Sequence, residues 1–173
     1  MRTEARWLGL LGTAAVATIA TTAAGVLLSA LETRKPAAGL NAVSHILWGD
    51  EAARVDHFDV QHTLAGGVLN ASAMASWAAV NELLPRAHDT TSVLAKGVLV
   101  SALAYLVDYY VVPKRLTPGF EKRFSPRAML VLYTVLAAGV AAGEHLASRH
   151  SRPLAARRPS PKLPTSSHKR MTA

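Results

Sequence analysis

From Trp7 to Leu31 the chain runs for 25 residues without one charged side chain. At about 1.5 Å per helical residue this is long enough to cross a hydrocarbon core of ~30 Å, so a transmembrane helix is predicted over 7–31. A cleaved signal peptide is the competing reading. Its apolar region is usually only about 7–15 residues long, and the Glu32-Thr33-Arg34-Lys35 that follows is not a small-residue cleavage site.

Composition agrees with a membrane protein. Of 173 residues 50% are hydrophobic and 17% charged, against roughly 25% charged in soluble chains. The length suits a single domain. The absence of cysteine excludes a disulfide scaffold, thiolate metal sites and cysteine nucleophiles.

Three more segments repeat the theme with polar interruptions. Asp59 is a predicted N-cap for a helix over 60–84 that Pro85 stops. Ser92 is placed to cap a helix over 92–112, ended by Pro113. Ser125-Pro126 supplies a cap and a first-turn proline for a helix over 126–146. The expected fold is all-α: a polytopic, four-transmembrane-helix up-down bundle, with residues 1–148 as the membrane domain. The short link between the second and third helices makes them expected antiparallel neighbours. In the first link Leu40, Val43, Ile46 and Leu47 fall at helical spacing beside Trp48, which suggests a short interfacial helix.

Residues 149–173 hold four prolines, seven Lys or Arg and no acid, the composition of a disordered basic tail. Without it the body carries 12 bases against 11 acids, so the net +8 belongs to the tail. The expected partners are the lipid bilayer and anionic lipid headgroups, met by the tail and by the basic third link. A homo-oligomer is left open. The basic residues lack interleaved aromatics, so nucleic acid is not an expected partner.

Between helices in lipid, close backbone approach favours small residues. Gly9, Thr13, Ala17, Thr21, Gly25 and Ser29 recur every four residues along the first helix. Gly139 and Gly143 give the fourth a G-x-x-x-G. On the second, His62, Gly66, Asn70, Ala73, Trp77 and Asn81 form one seam, with Ser101 or Tyr105 of the third helix as expected partner for the Asn70 amide.

Ionisable groups in membrane helices are costly unless terminal, paired or functional. Glu82, Lys96 and Glu144 all fall on the side of the termini, which predicts a Glu82–Lys96 or Glu144–Lys96 pair. On the opposite side, His45, His57, His62 and Asp108, with Asn70 deeper, form a candidate functional polar cluster. Histidine with carboxylate can bind metal or relay protons. His57 and His62 are five apart, however, and no H-E-x-x-H or H-x-x-x-H occurs, so no metal, cofactor or catalytic residue is assigned. Asp108 lies one turn below Lys114 and Arg115. A salt bridge to them is expected, with a proton-accepting Asp108 in a transport path as the alternative.

The strings Asn41-Ala42-Val43-Ser44-His45-Ile46-Leu47-Trp48-Gly49 and Asp108-Tyr109-Tyr110-Val111-Val112-Pro113-Lys114-Arg115-Leu116-Thr117-Pro118-Gly119-Phe120-Glu121 resemble segments of a group of small four-helix bacterial inner-membrane proteins without an assigned function. The resemblance covers about residues 7–147. It implies a bacterial inner-membrane location and no particular activity. The expected function is therefore a non-enzymatic accessory or stress-related membrane component. The alternatives are a small oligomeric channel or proton-coupled transporter using His62, Asn70 and Asp108, and a membrane-embedded metalloenzyme using His45, His57, His62 and Asp108. A slight excess of basic residues on the side of the termini, and the acids of the first link, favour cytoplasmic termini.

Overall fold

A computed structural model describes residues 2–85, 87 and 89–156. Among them every regular element is helical. The long helices are α1 (Arg2–Thr33), α4 (Val60–Leu83), α5 (Thr90–Leu106, prolonged by a π-helical turn Val107–Val111) and α6 (Pro126–Ala156). The first link holds two short helices, α2 (Ala38–Val43) and α3 (His45–Trp48). Among the described residues three helices are long and apolar enough to cross a membrane, over Arg6–Thr33, Thr90–Val111 and Pro126–Arg149. The 24-residue α4 is as long, but Gln61, His62, Asn70, Asn81 and Glu82 lower its apolar character. The part of the basic tail from residue 157 onward lies outside the described residues, and α6 runs well past Leu146, where the sequence suggests its end.

Local chemistry sets the helix starts. Asp59 stands in extended conformation and its carboxylate accepts the His62 N–H at 2.9 Å, the expected cap of α4. Ser125 caps α6 by accepting the Ala128 N–H, and Pro126 occupies the first helical position, where no N–H is needed. For α5 the cap is Asp89 rather than Ser92: its carboxylate accepts the Ser92 N–H at 2.9 Å and the Ser92 hydroxyl at 2.6 Å. Ser92 sits three residues in, where it closes the capping interaction instead of opening the helix.

The four long helices form a ring in which α1 packs on α4 and α6, and α6 on α5. All six residues of the α1 small stripe are buried. A Cβ added to Gly143 would stand 2.5 Å from Thr13 Cα, and one on Gly139 3.1 Å from Ala17 Cα, so α1 and α6 touch backbone to backbone and antiparallel. Gly97 does the same for α5, against the Ala137 carbonyl of α6. The sequence neighbours α4 and α5 meet only thinly, and their seam is the loosest in the ring.

The first link departs from expectation. All six residues of α2 are buried, so it is not an interfacial helix. Two glycines let it sink into the end of the bundle. Gly66 of α4 lies so close beneath the Leu40 carbonyl that no side chain fits there, and Gly39 offers its N–H to Ser29 Oγ at 2.8 Å, where a Cβ would strike both Ser29 and Phe124. Only α3 keeps an interfacial character, with Leu47 and Trp48 exposed.

The packing predicts opposite outcomes at two helix-interior glycines. Gly143→Ala forces α1 and α6 apart and should destabilise by about 1–3 kcal/mol. A Cβ on Gly67 meets nothing within 4 Å, so Gly67→Ala should stabilise by up to ~1 kcal/mol through helix propensity. Thermal unfolding in detergent followed by circular dichroism checks both.

Candidate functional site

A cavity of ≈100 Å3 lies inside the ring, at the end roofed by α2, α3 and the link between α5 and α6. Its walls are mainly apolar, with Thr21 from α1, Asn70 from α4, Asp108 from α5 and Tyr133 from α6 as the polar groups.

Asp108 reaches the cavity from the π-helical turn, in which the Val112 N–H donates to the Val107 carbonyl at 3.0 Å. Such wide turns are frequent at functional sites. Pro113 ends the helix immediately afterwards, since it has no N–H and holds Val112 extended. The Tyr133 hydroxyl donates to Asp108 Oδ2 at 2.7 Å. The expected bridge to Lys114 or Arg115 does not form: Arg115 turns away to donate to the Leu47 carbonyl at 3.1 Å. The link folds back under α3 instead of standing over α5, and so carries its cations off. Asp108 is thus a carboxyl on a helix long and apolar enough to cross a membrane, held by a neutral donor. The rings of Tyr105, Tyr109 and Tyr133 pack against one another beside it, with centroids 5.2–6.1 Å apart.

Asn70 is buried, and its amide donates to Thr21 and Thr22 of α1, both at 3.1 Å. The expected partners on α5 are otherwise engaged or out of reach: Ser101 donates to the Tyr133 carbonyl at 2.5 Å. The reason is the ring order, which sets α4 against α1 and only lightly against α5. The inward face of α4 is Gly66, Asn70, Met74, Ala78 and Asn81, while Ala73 is exposed at the seam.

The histidines lie elsewhere. His45 is buried at 1% exposure, with Nδ1 2.9 Å from the Ala42 carbonyl and Nε2 3.5 Å from that of Lys114. It ties the first and third links together. His57 is exposed, and its backbone carbonyl accepts the Asn41 amide at 2.8 Å. His62 pairs with Asp59 and packs edge-on to Trp48 at 5.1 Å. Among the described residues no three His, Asp or Glu side chains converge as metal ligands. Of the candidate cluster, only Asn70 and Asp108 share a site.

Charges of the two links clamp the roof. Asp56 accepts from Lys35 and, at 2.9 Å, pairs with Arg123, while Asp50 pairs with Lys122. The hydrogen bond from Lys35 is the main cause holding the Asp56 carboxyl below its ordinary value, and Lys122 does the same for Asp50. Two cations of the basic third link are therefore engaged by this chain's own acids. The Glu32 carboxylate at the end of α1 accepts both the N–H and the hydroxyl of Ser125, the cap of α6.

At the opposite end Lys96 of α5 donates to Glu144 of α6 at 2.9 Å, and Asn81 of α4 donates to the other Glu144 oxygen at 2.9 Å. This is one of the two pairs the spacing allows. Glu82 instead lies against Gly9 of α1.

As parts of a site, Tyr133, Thr21, Phe120 and the π-helical turn are not marked by any motif in the sequence. For Tyr133 a weaker signal exists: in an antiparallel hairpin, residues a similar distance from the link face one another, as Asp108 and Tyr133 do.

No family model, curated protein or solved structure matches the chain.

The Lys96–Glu144 pair is only 13% and 14% exposed, so removing one partner strands a charge. Lys96→Leu should destabilise by about 3 kcal/mol or more, and the Lys96→Leu/Glu144→Leu double variant should recover most of that loss. Denaturant unfolding of the single and double variants measures the coupling.

Proposed function

We propose that the chain crosses a bacterial inner membrane four times with both termini cytoplasmic, and acts there as a non-enzymatic accessory component that exchanges a proton or small solute at Asp108. The observation that carries this reading is a carboxyl on a membrane helix that faces a partly open, mainly apolar cavity and is held by a tyrosine instead of a cation. Intramembrane acids of this kind mark proton and solute paths.

Two observations support α4 as the fourth crossing. Its 24 residues span about 36 Å at 1.5 Å each. Its polar side chains Asn70 and Asn81 are turned inward and bonded to α1 and α6, so they are not presented to lipid. Large apolar residues cover the outward faces, among them Leu8, Ile19 and Leu27 on α1 and Leu64 and Val68 on α4.

Reconstitution into liposomes with an imposed membrane potential tests the activity. The protein should admit protons at a rate that Asp108→Asn lowers at least tenfold and Tyr133→Phe lowers less, read with an internal pH dye. Equal rates for the unaltered protein, the Asp108→Asn variant and empty liposomes would reject the reading.

A further inference from the structure

We infer that the Asp108 cavity is a binding site for a lipophilic organic cation, a protonated or quaternary ammonium carried on an apolar body. The inference rests on the reading of Asp108 as an exchange site and names the class of solute.

The chemistry of the walls selects this class. Asp108 accepts one hydrogen bond, from Tyr133, and among the described residues no Lys, Arg or His pairs with it. A carboxylate placed this way attracts a cation and repels an anion, and Glu121 nearby adds to the negative field. A metal ion would need further anionic or imidazole ligands, which do not converge among the described residues. A neutral lipid chain would make no use of the carboxylate. An ammonium group uses both it and the aromatic side chains of Phe120 and Tyr133, which line the same cavity; aromatic rings attract such cations within about 6 Å.

Size and access agree. At ≈100 Å3 the cavity is well below the roughly 300–1,000 Å3 of a site for a whole drug-sized ligand. It has room for a compact cationic head, and the remainder of such a molecule must lie outside. The thin α4–α5 seam gives it a place: Leu69 and Ala73 of α4 line the cavity, and Ala73 is exposed on the outside of the bundle. A ligand arriving from the bilayer would enter head first between α4 and α5, with its apolar body left among lipid chains.

The test uses the purified full chain in lipid nanodiscs, with radiolabelled benzyltrimethylammonium as the cation and neopentylbenzene, its uncharged isostere, as the control. The cation should bind saturably with one site per chain. Asp108→Asn should weaken it at least tenfold, and Ala73→Trp, which narrows the seam without touching the carboxyl, at least threefold; helical circular dichroism and a monodisperse elution profile confirm that each variant is folded. The isostere should show only non-saturable partition. Unchanged cation binding in both variants, or saturable binding of the isostere to the same level, would overturn the proposal. The proton-flux assay on the same preparation separates the two readings: Asp108-dependent flux without cation binding rejects the cation and retains exchange at Asp108, while cation binding without flux retains the site and rejects proton carriage.

Discussion

Within a bilayer the helices of this protein gain little from hydrophobic association, because lipid chains are as apolar as leucine, and contact must come from close approach and hydrogen bonds. One surface supplies both. The small stripe of α1 meets α6 through Thr13–Gly143 and Ala17–Gly139, α4 through Thr21–Asn70, and α2 through Ser29–Gly39. Because each stripe residue is small, three elements stand against α1 at once, and the remaining structure is arranged around that axis. A bulky residue on the stripe would separate α6 from α1 and carry Tyr133 away from the cavity that α1, α4 and α5 help to enclose.

The same axis explains why α4 tolerates its polar residues. The Asn70 amide NH2 is held by two threonines of α1 and that of Asn81 by Glu144 of α6, so both are turned into the bundle. The thin contact between α4 and α5 is the complement of this arrangement: α4 is held from the α1 side, and the space left toward α5 is the cavity. Asp108 enters that space because the π-helical turn, the stop at Pro113 and the clamp of the third link onto the first draw Lys114 and Arg115 away from it. Charge pairing between the links thus leaves the carboxyl on α5 without a cation.

How far the sequence is readable follows from what periodicity reports. A four-residue repeat identifies a helix face, so the α1 stripe, the G-x-x-x-G of α6 and the caps at Asp59 and Ser125 are all legible in the residue pattern alone. The Lys96–Glu144 pair is legible too, because hairpin threading fixes which helix ends lie together. Periodicity does not report which neighbour a face meets, and the Asn70 amide finds α1 where chain order points to α5. It also treats Leu40, Val43 and Ile46 as one amphipathic piece, since nothing local announces that Gly39 and Gly66 let α2 sink until it has no exposed face. Gly97 and Ser101 are a shorter small pair of the same kind on α5, and both meet α6, but two positions give a weaker pattern than the six of α1. The histidines mislead for a related reason: proximity along the chain at the start of α4 suggests a cluster, whereas His45 is turned toward Ala42 and Lys114, and His62 toward Asp59 and Trp48.

Exchange at Asp108 depends on α4 crossing the membrane, since only then do Asn70 and Asp108 face each other across an intramembrane cavity. The chain contains no cysteine, so single-cysteine labelling with a membrane-impermeant maleimide reports topology without background. Cysteines introduced at Arg6 and Ala87 should be labelled from the same side of sealed vesicles, and those at Glu51 and Lys114 only from the other. Labelling of Ala87→Cys on the same side as Glu51→Cys would mean that α4 does not cross, and would contradict the account.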